Sequence, residues 1–355
     1  MRMMLYEAAH IMLVRLVKWS WLKARAMKIA KHRGMKKAIR GAGAPSASAM
    51  SPRSLSCSHR VIGLYLKKGS SDMRVVLLFL VALIGASNAA SAQILEGRLK
   101  HIQESKVVKL AYRSDASPFS FASTQGQPDG YTIDLCKFVV HSIEVQLSAR
   151  LAIEWVPVDT QNRFDAIATG LADMECGSST VSFARMEKVD FSSFIFMENT
   201  GLMVRANSGI SNLGDVKGKR IAVIAGTTNE TALTKELQRR QLQTSLARVK
   251  DRREGMAALE SGDVDGFASD KLLLIGAHDS DALTYRLLPE NLSYEPYAIV
   301  LPRGDWAFRL AVNRGLSELY NSPKILEIYL KWFPAIGESH GLFRSAVYIF
   351  GIFPE

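Results

Sequence analysis

The sequence lacks the short motifs that most often mark an active site. It contains no Cys-x-x-Cys, no His-Glu-x-x-His, no Gly-x-Ser-x-Gly, no P-loop and no Gly-x-Gly-x-x-Gly. Such motifs would have indicated a metal or redox site, a nucleophile or a phosphate-binding loop. None of the four histidines after residue 92 belongs to such a motif. We therefore expect neither catalysis nor a cofactor or metal.

Excess basic charge is confined to the first quarter of the chain. The formal net charge is +11, but residues 1–92 hold 16 Lys and Arg against 2 acids, whereas residues 93–355 hold 29 against 32. The long C-terminal part is mildly acidic and offers no polycationic surface. We therefore expect no nucleic-acid partner for it.

An apolar run over 75–86 has 12 residues, too few to cross a bilayer core of about 30 Å. It follows Met73-Arg74 and precedes small residues that end in Ala-Ser-Ala at 90–92, which is the order found in a secretory signal peptide. We predict a signal peptide at 73–92, a mature chain that begins at Gln93, and a periplasmic location. The alternative is a buried core helix.

The basic segment 1–72 precedes that signal and has two interpretations. One is an arm that binds nucleic acid or a membrane surface. The other, which we favour, is that Met73 is the true start and that 1–72 is not part of the mature protein.

Cysteine is scarce, and only Cys136 and Cys176 follow residue 92. In an oxidising compartment they form one disulfide, worth about 2–4 kcal/mol, or remain two buried thiols. The sequence leaves both possibilities open.

Strand-like and helix-like patterns alternate after the signal segment. We predict strands over 107–113, 151–158 and 172–177, separated by helices over 130–147 and 163–171. This β-α-β-α-β order is typical of a mostly parallel sheet covered by helices.

A second cycle of the same kind follows residue 213, and helices end the chain. The pattern therefore predicts an α/β protein of two lobes, in which the chain leaves the first lobe, builds the second and returns. The predicted segments are strands 220–225, 245–250 and 264–269 and helices 230–241, 255–261, 304–320 and 323–333. The predicted ranges are 93–200 and 298–335 for the first lobe, 201–297 for the second, and 336–355 for a tail of unknown role.

Polar side chains cluster where the predicted strands end. Because ligands of open α/β sheets bind at the carboxyl ends of strands, we expect these side chains to line one pocket. Three arginines, several hydroxyl groups and one aspartate suit a small anion that also carries an ammonium group. Taken singly, each has a plainer interpretation as a surface charge or a helix cap. The residues are Arg113, Thr160, Arg163, Ser178, Thr180, Arg185, Thr227, Thr228 and Asp270.

Several of these segments carry a family resemblance. They include Thr160-Gln161-Asn162-Arg163, Glu175-Cys176-Gly177-Ser178 and Gly226-Thr227-Thr228. Residues 93 to about 335 resemble the periplasmic amino-acid-binding proteins of ABC importers, the family-3 solute-binding proteins, and the first two segments point to the glutamate/aspartate-binding branch. The resemblance implies a type II clamshell with two hinge crossings, each lobe a mostly parallel sheet flanked by helices, and the ligand between the lobes.

The resemblance also implies a role for each pocket residue. Asp270 would bind the α-ammonium group of the ligand and Arg185 its α-carboxylate. The α-carboxylate would also contact Ser178, Thr180, Thr227 and Thr228, and the side-chain carboxylate would contact Arg113, Thr160 and Arg163.

Two positions depart from that branch. Thr160 replaces a serine and keeps its hydroxyl group. Arg252 replaces a histidine, so it either adds positive charge to the pocket or swings away from it.

We predict a monomeric binding protein that captures an acidic amino acid and delivers it to the membrane permease of an ABC importer. One alternative is an accessory protein that docks on a periplasmic enzyme. A second is a prephenate- or arogenate-type dehydratase, since fold does not fix function. A dehydratase needs an acid in the cleft, and Glu175 is the nearest candidate, although we expect it to point away from the ligand.

Overall fold

The computed structural model describes residues 95–277, 284–334 and 341–353. The predicted signal peptide at 73–92 and the basic segment 1–72 lie outside the described residues. None of the helices described is both long and apolar enough to cross a membrane.

One mixed sheet forms the framework of the described chain. Its strands lie in the order β5-β1-β6-β12-β7-β10-β8-β9, β11 pairs with β7, and β2, β3 and β4 form a small separate sheet. The strands are β1 (Val107–Arg113), β2 (Asp115–Ala116), β3 (Ser120–Ala122), β4 (Pro128–Asp129), β5 (Ala152–Val158), β6 (Met174–Glu175), β7 (Asp190–Arg205), β8 (Arg220–Ile224), β9 (Ser245–Val249), β10 (Gly266–Asp270), β11 (Tyr285–Leu287) and β12 (Ser293–Leu301).

The sheet has a parallel group of strands at each end. β1 pairs in parallel with β5 and β6, and β8 pairs in parallel with β9 and β10. Residues 221–224 of β8 are all buried, as expected for a strand covered on both faces. The predicted strand at 172–177 is much shorter, because the chain leaves the ladder after Glu175 to form the loop that contains Ser178.

Two long strands connect the parallel groups. β7 and β12 pair antiparallel from Thr200–Ser293 to Asp190–Leu301, with shifts in register around Ala298. The C-terminal half of β7 also pairs with β10, whereas β12 pairs with β6 at Val300. The chain therefore crosses between the two groups twice. The boundaries that we predicted after residues 200 and 297 fall inside these strands.

Helices cover the sheet, and local capping sets where several begin. The Thr227 hydroxyl accepts from the amide of Glu230, and the Asp251 carboxylate accepts from that of Glu254, so both helices begin earlier than predicted. The helices are α1 (Gly97–Ser105), α2 (Tyr131–Leu147), α3 (Arg163–Ala168), α4 (Phe183–Met186), α5 (Thr228–Arg239), α6 (Arg252–Ser261), α7 (Lys271–Gly276), α8 (Trp306–Tyr320), α9 (Lys324–Trp332) and α10 (Gly341–Phe350), with a 3-10 turn at Leu213–Val216.

Each parallel group of strands has its own hydrophobic core. Ile102, Leu110 and Ile133 belong to the core around β1, and α8 and α9 return to it. α8 approaches α2 closely: a Cβ atom on Gly315 would lie 3.2 Å from the Cα of Val139. The group around β8 buries apolar residues of its own. We refer to these two bodies as the first and the second lobe.

The C-terminal tail packs on the first lobe. The hydroxyls of Tyr348 and Tyr131 lie 2.8 Å apart, and Tyr131 donates to the carbonyl of Ile195 on β7. Gly351 lies against the ring of Tyr320. The tail, for which the sequence predicted no role, therefore covers one of the crossing strands.

Cys136 and Cys176 form a disulfide, which resolves the choice between a bond and two thiols. The bond ties α2 to the segment that follows β6. That segment carries Ser178 and Thr180, so the disulfide anchors part of the predicted pocket to a buried helix.

Removing this disulfide should reduce the free energy of unfolding. The two cysteines are 40 residues apart, and closing a loop of this size in the unfolded chain is worth about 4 kcal/mol. We expect a loss of that order for the Cys136→Ala, Cys176→Ala double variant, measured by guanidinium unfolding. Reduction of the wild type should give a similar loss and leave the double variant unchanged. Equal unfolding midpoints for oxidised and reduced wild type would contradict this expectation.

Candidate binding cleft

A narrow cavity of about 20 Å³ lies where β1, β6, β8 and β10 end. It has room for about one water molecule, so an amino acid enters only when the two sides of the cleft move apart. All ten residues that the sequence nominated line it, together with Ile224, Asn229 and Leu273. The ten are Arg113, Thr160, Arg163, Ser178, Thr180, Arg185, Thr227, Thr228, Arg252 and Asp270.

The fold brings these residues together through the ends of its elements. Arg113 is the last residue of β1 and Asp270 the last residue of β10, while Arg163 and Arg252 are the first residues of α3 and α6. Because parallel strands end at the same edge of a sheet, each lobe presents its polar residues on one side. The two sets meet across the cleft.

Two arginines of the first lobe stack on one aromatic ring. The guanidinium carbons of Arg163 and Arg185 lie 4.5 and 4.9 Å from the ring centre of Phe164. Arg163 donates to the Ser179 hydroxyl at 2.9 Å and to the carbonyl of Thr160 at 2.5 Å. Arg185 donates to the carbonyl of Thr180 at 2.6 Å. Both guanidinium groups are thus fixed in place.

The site carries positive charge that its own carboxylates do not fully neutralise. Burial, with the like charges of Arg113 and Arg185, lowers the pKa of Arg163 to about 9. Burial also lowers the pKa of Arg185 and of Arg252. Within the described chain, neither Arg163 nor Arg185 lies within 4.0 Å of a carboxylate oxygen. An anion in the cavity would relieve this excess.

Several buried polar atoms of the cavity have no hydrogen-bond partner among the described residues. They are the Nε atoms of Arg113 and Arg252 and the hydroxyl of Thr160. Buried donors in folded proteins are nearly always satisfied. All three residues line the cavity, so these unpartnered donors indicate a site for an acceptor.

Arg252 points into the cleft, which decides between the two orientations that the sequence left open. Its Nη1 donates to the backbone carbonyl of Asp115 at 2.8 Å and lies 3.5 Å from the Asp115 carboxylate. The same carboxylate lies 2.6 Å from Nη2 of Arg113. Sequence reasoning missed Asp115, although its place two residues after Arg113 was a usable signal.

Asp270 supplies a carboxylate at the other end of the cavity. Burial and the neighbouring Glu295 raise the pKa of Asp270 to about 6, against the opposing effects of Asn229 and Arg252. The side-chain amide of Asn229 donates to Asp270 at 3.1 Å. Asn229 directly follows Thr228 in the sequence but was not predicted as a site residue.

Glu295 on β12 accepts hydrogen bonds from hydroxyl groups of both lobes. Thr180 of the first lobe donates to its Oε2 at 2.7 Å, and Thr228 of the second donates to the same oxygen at 2.6 Å. Thr200 on β7 donates to its Oε1 at 3.0 Å. Glu295 is the one acid in the segment 293–301, and this was the signal that could have identified it.

Glu175 is fully buried and does not line the cavity. A Cβ atom on Gly177 would come within 1.9 Å of its carboxylate. Burial raises the pKa of Glu175, against the charge of Arg163. It therefore lies behind the arginines rather than among the side chains that line the cavity.

Residues 108–335 match the family model of bacterial extracellular solute-binding proteins, family 3, which is well over half of the chain. The chain belongs to this family. The resemblance inferred from the sequence and the predicted type II two-lobed α/β fold are confirmed.

The relatives to which this chain is similar are named as binding proteins. The chain is 34% identical over 248 residues to an L-glutamate/L-aspartate-binding protein of Pseudomonas aeruginosa, covering 68% of this chain and 82% of that protein. It is 27% identical over 238 residues to a glutamate/aspartate import solute-binding protein of Escherichia coli K12, covering 66% and 79%. Among solved structures it is similar to an ancestral arginine-binding protein bound to glutamine, with a TM-score of 0.57, 25% identity and coverage of 64% and 98%.

A second acid lies opposite Glu295 on the crossing strands. Glu198 on β7 is the register partner of Glu295 and is 4% exposed. Burial raises its pKa to about 8, and the negative charge of Asp270 adds to the rise. In the unfolded chain a glutamate titrates near 4.3. Between these values the folded state binds more protons, so this group should make stability fall as pH rises.

Glu198→Gln should therefore flatten the dependence of stability on pH. Glutamine imitates the protonated acid and keeps the acceptor for the amide of Asn199. Relative to the wild type, we expect the variant to gain on the order of 4 kcal/mol between pH 5 and pH 8.5. Urea unfolding at several pH values measures this difference. A constant offset between the two proteins would contradict the assigned pKa.

Proposed function

We propose that this protein binds an acidic amino acid between its lobes. The observation that supports this most directly is the pair Arg163 and Arg185, two fixed guanidinium groups in one cavity without a carboxylate partner among the described residues. An acidic amino acid brings two carboxylates, one for each. Its ammonium group suits Asp270 at the other end of the cavity.

The remaining polar groups complete the proposed set of contacts. The α-carboxylate would meet Arg185 with the hydroxyls of Ser178 and Thr180 and the start of α5. The side-chain carboxylate would meet Arg163 together with the unpartnered donors of the cavity wall. Those donors are Nε of Arg113, Nε of Arg252 and the hydroxyl of Thr160.

The charge of the cavity supports an acidic ligand over a neutral or basic one. Of the side chains that line the cavity, four are arginines and one, Asp270, is a carboxylate, while Asp115, Glu175 and Glu295 lie beside or behind them. Glutamate or aspartate carries a net charge of about −1 at neutral pH. A basic amino acid would add positive charge to a cavity that already has an excess.

Delivery to the membrane permease of an ABC importer is the second part of the proposal. The relative in Escherichia coli is named an import solute-binding protein, and this name supports a role in import. Export through the segment 73–92 would place the protein in the periplasm, and the disulfide suits an oxidising compartment. We propose that it acts there as a monomer.

Calorimetric titration of the ligand-free protein tests the ligand class. We expect binding of L-glutamate or L-aspartate, and weaker or no binding of L-glutamine, L-arginine and prephenate. Arg185→Ala should weaken binding about 100-fold or more, because a buried charge-assisted contact is lost. Arg309→Ala, which removes a half-exposed arginine of α8, is the matched control and should bind as the wild type does.

Two results would contradict the proposal. If the protein binds none of the amino acids offered, a docking role for the protein would be favoured. Turnover of prephenate would instead favour an enzyme on this fold.

Binding should weaken below about pH 6. The ammonium group of the ligand needs ionised Asp270, whose pKa is raised to about 6 in the free protein. Above that pH the affinity should be nearly constant, and below it the dissociation constant should rise about tenfold per pH unit. The side-chain carboxylate of glutamate, which titrates near 4.3, stays largely ionised down to pH 5.

Titrations at pH 7.5, 6.5, 5.5 and 5.0 measure this dependence. Asp270→Asn should bind weakly at every pH and give a flat profile. If lowering the pH raised the dissociation constant equally in the wild type and in Asp270→Asn, the titrating group would not be Asp270.

A further inference from the structure

A carboxylate of the first lobe joins arginines from both lobes. Asp115 lies on β2, which follows β1 and its last residue Arg113, whereas Arg252 is the first residue of α6 in the second lobe. The Asp115 carboxylate lies 2.6 Å from Nη2 of Arg113 and 3.5 Å from Nη1 of Arg252. The backbone carbonyl of Asp115 also accepts from Arg252 at 2.8 Å. Asp115 thus links the lobes across the cleft.

The surroundings of this link make it stronger than an ordinary surface ion pair. The side chain of Arg252 is 5% exposed and that of Arg113 is 4% exposed, while Asp115 is 26% exposed. Burial opposes ionisation of Asp115, yet the two guanidinium groups outweigh it and hold the pKa of this carboxyl below its ordinary value. Exposed pairs contribute little, but pairs shielded from water are screened less.

The link leaves the rest of each guanidinium free for a ligand. Asp115 engages Nη atoms, whereas Nε of Arg113 and Nε of Arg252 find no acceptor in the described part of the chain. A carboxylate that holds one edge of a planar guanidinium restricts how the other edge can turn. Asp115 therefore orients both donors while it joins the lobes.

We propose that Asp115 is a positioning residue of this site, which latches the lobes together through Arg252 and fixes both arginines for the ligand. The latch belongs to the protein itself, so it favours closure before any ligand enters.

The latch is tested first without ligand. Carried-over ligand is removed by unfolding and refolding, and the radius of gyration is measured by small-angle X-ray scattering. We expect Asp115→Asn and Arg252→Gln each to increase the radius of gyration of the full chain, and the double variant to resemble either single one. Glu154→Gln is the matched control: it removes the same charge from a pair with Lys109 inside the first lobe and should leave the radius unchanged.

The second test measures release of L-glutamate by stopped flow, and this arm rests on the proposed function. Loss of the latch should accelerate release about tenfold in Asp115→Asn and by more in Arg252→Gln, which also loses a donor to the ligand, and the double variant should resemble Arg252→Gln. If the two groups act only through their charge on an anionic ligand, the variants should instead move in opposite directions. Asp115→Asn would then release glutamate more slowly, and Arg252→Gln faster.

The two arms separate failure of this inference from failure of the proposed ligand. Unchanged radii in both single variants, or opposite changes in release, would overturn the latch. Larger radii in a protein that binds no amino acid would support the latch and count against the ligand class. If one variant does not fold, the other still gives the decisive direction.

Discussion

Strands β7 and β12 pass through both lobes, and their pairing sets the distance across the cleft. The residues that line the cavity belong mostly to one lobe or the other, so their approach depends on how these strands bend. The ladder is irregular around Ala298. Beside this point the hydroxyls of Tyr320 and Tyr131 bind the carbonyls of Phe194 and Ile195 on β7. The first lobe thus holds its crossing strand through side chains where the backbone pairing is weakest.

The buried acid on the second crossing strand couples this hinge to the cavity. Glu295 receives hydroxyl groups from Thr180 and Thr228, which lie on opposite sides of the cleft. A buried carboxylate is costly unless donors surround it. Opening the cleft would withdraw at least one of these donors and admit water in its place. Closure of the cleft therefore supplies the hydrogen-bond donors of Glu295 and shields the arginines from water in the same movement.

The sequence predicted the parts of this molecule that depend on local pattern. The strand 107–113 and the helices at the end of the chain follow from periodicity, and the ten nominated residues share one cavity because strand ends converge in this fold. The short strands β2–β4 have too few residues to show a period. α10 was missed because its apolar run has no partner that the sequence identifies. The surface of the first lobe that it covers is formed only in the folded chain.

The link between Asp115 and Arg252 escaped prediction for a different reason. The two residues are 137 positions apart and come from different lobes. Neither has a periodicity or motif that names the other as its partner, and only closure of the fold brings them together. Local patterns can nominate a charged residue for a pocket, but its counter-ion across a cleft is a property of the tertiary structure.

The arrangement of charge within the cavity explains why an anion with two carboxylates suits it. Asp115 partly neutralises Arg113 and Arg252, and Asp270 lies beside Asn229 at the far end. Arg163 and Arg185 remain, held against a single aromatic ring in a poorly solvated space. Like charges so placed repel each other, and the ring offsets only part of that repulsion. Two ligand carboxylates would neutralise both guanidinium groups together, whereas one would leave the second charge exposed to the same repulsion.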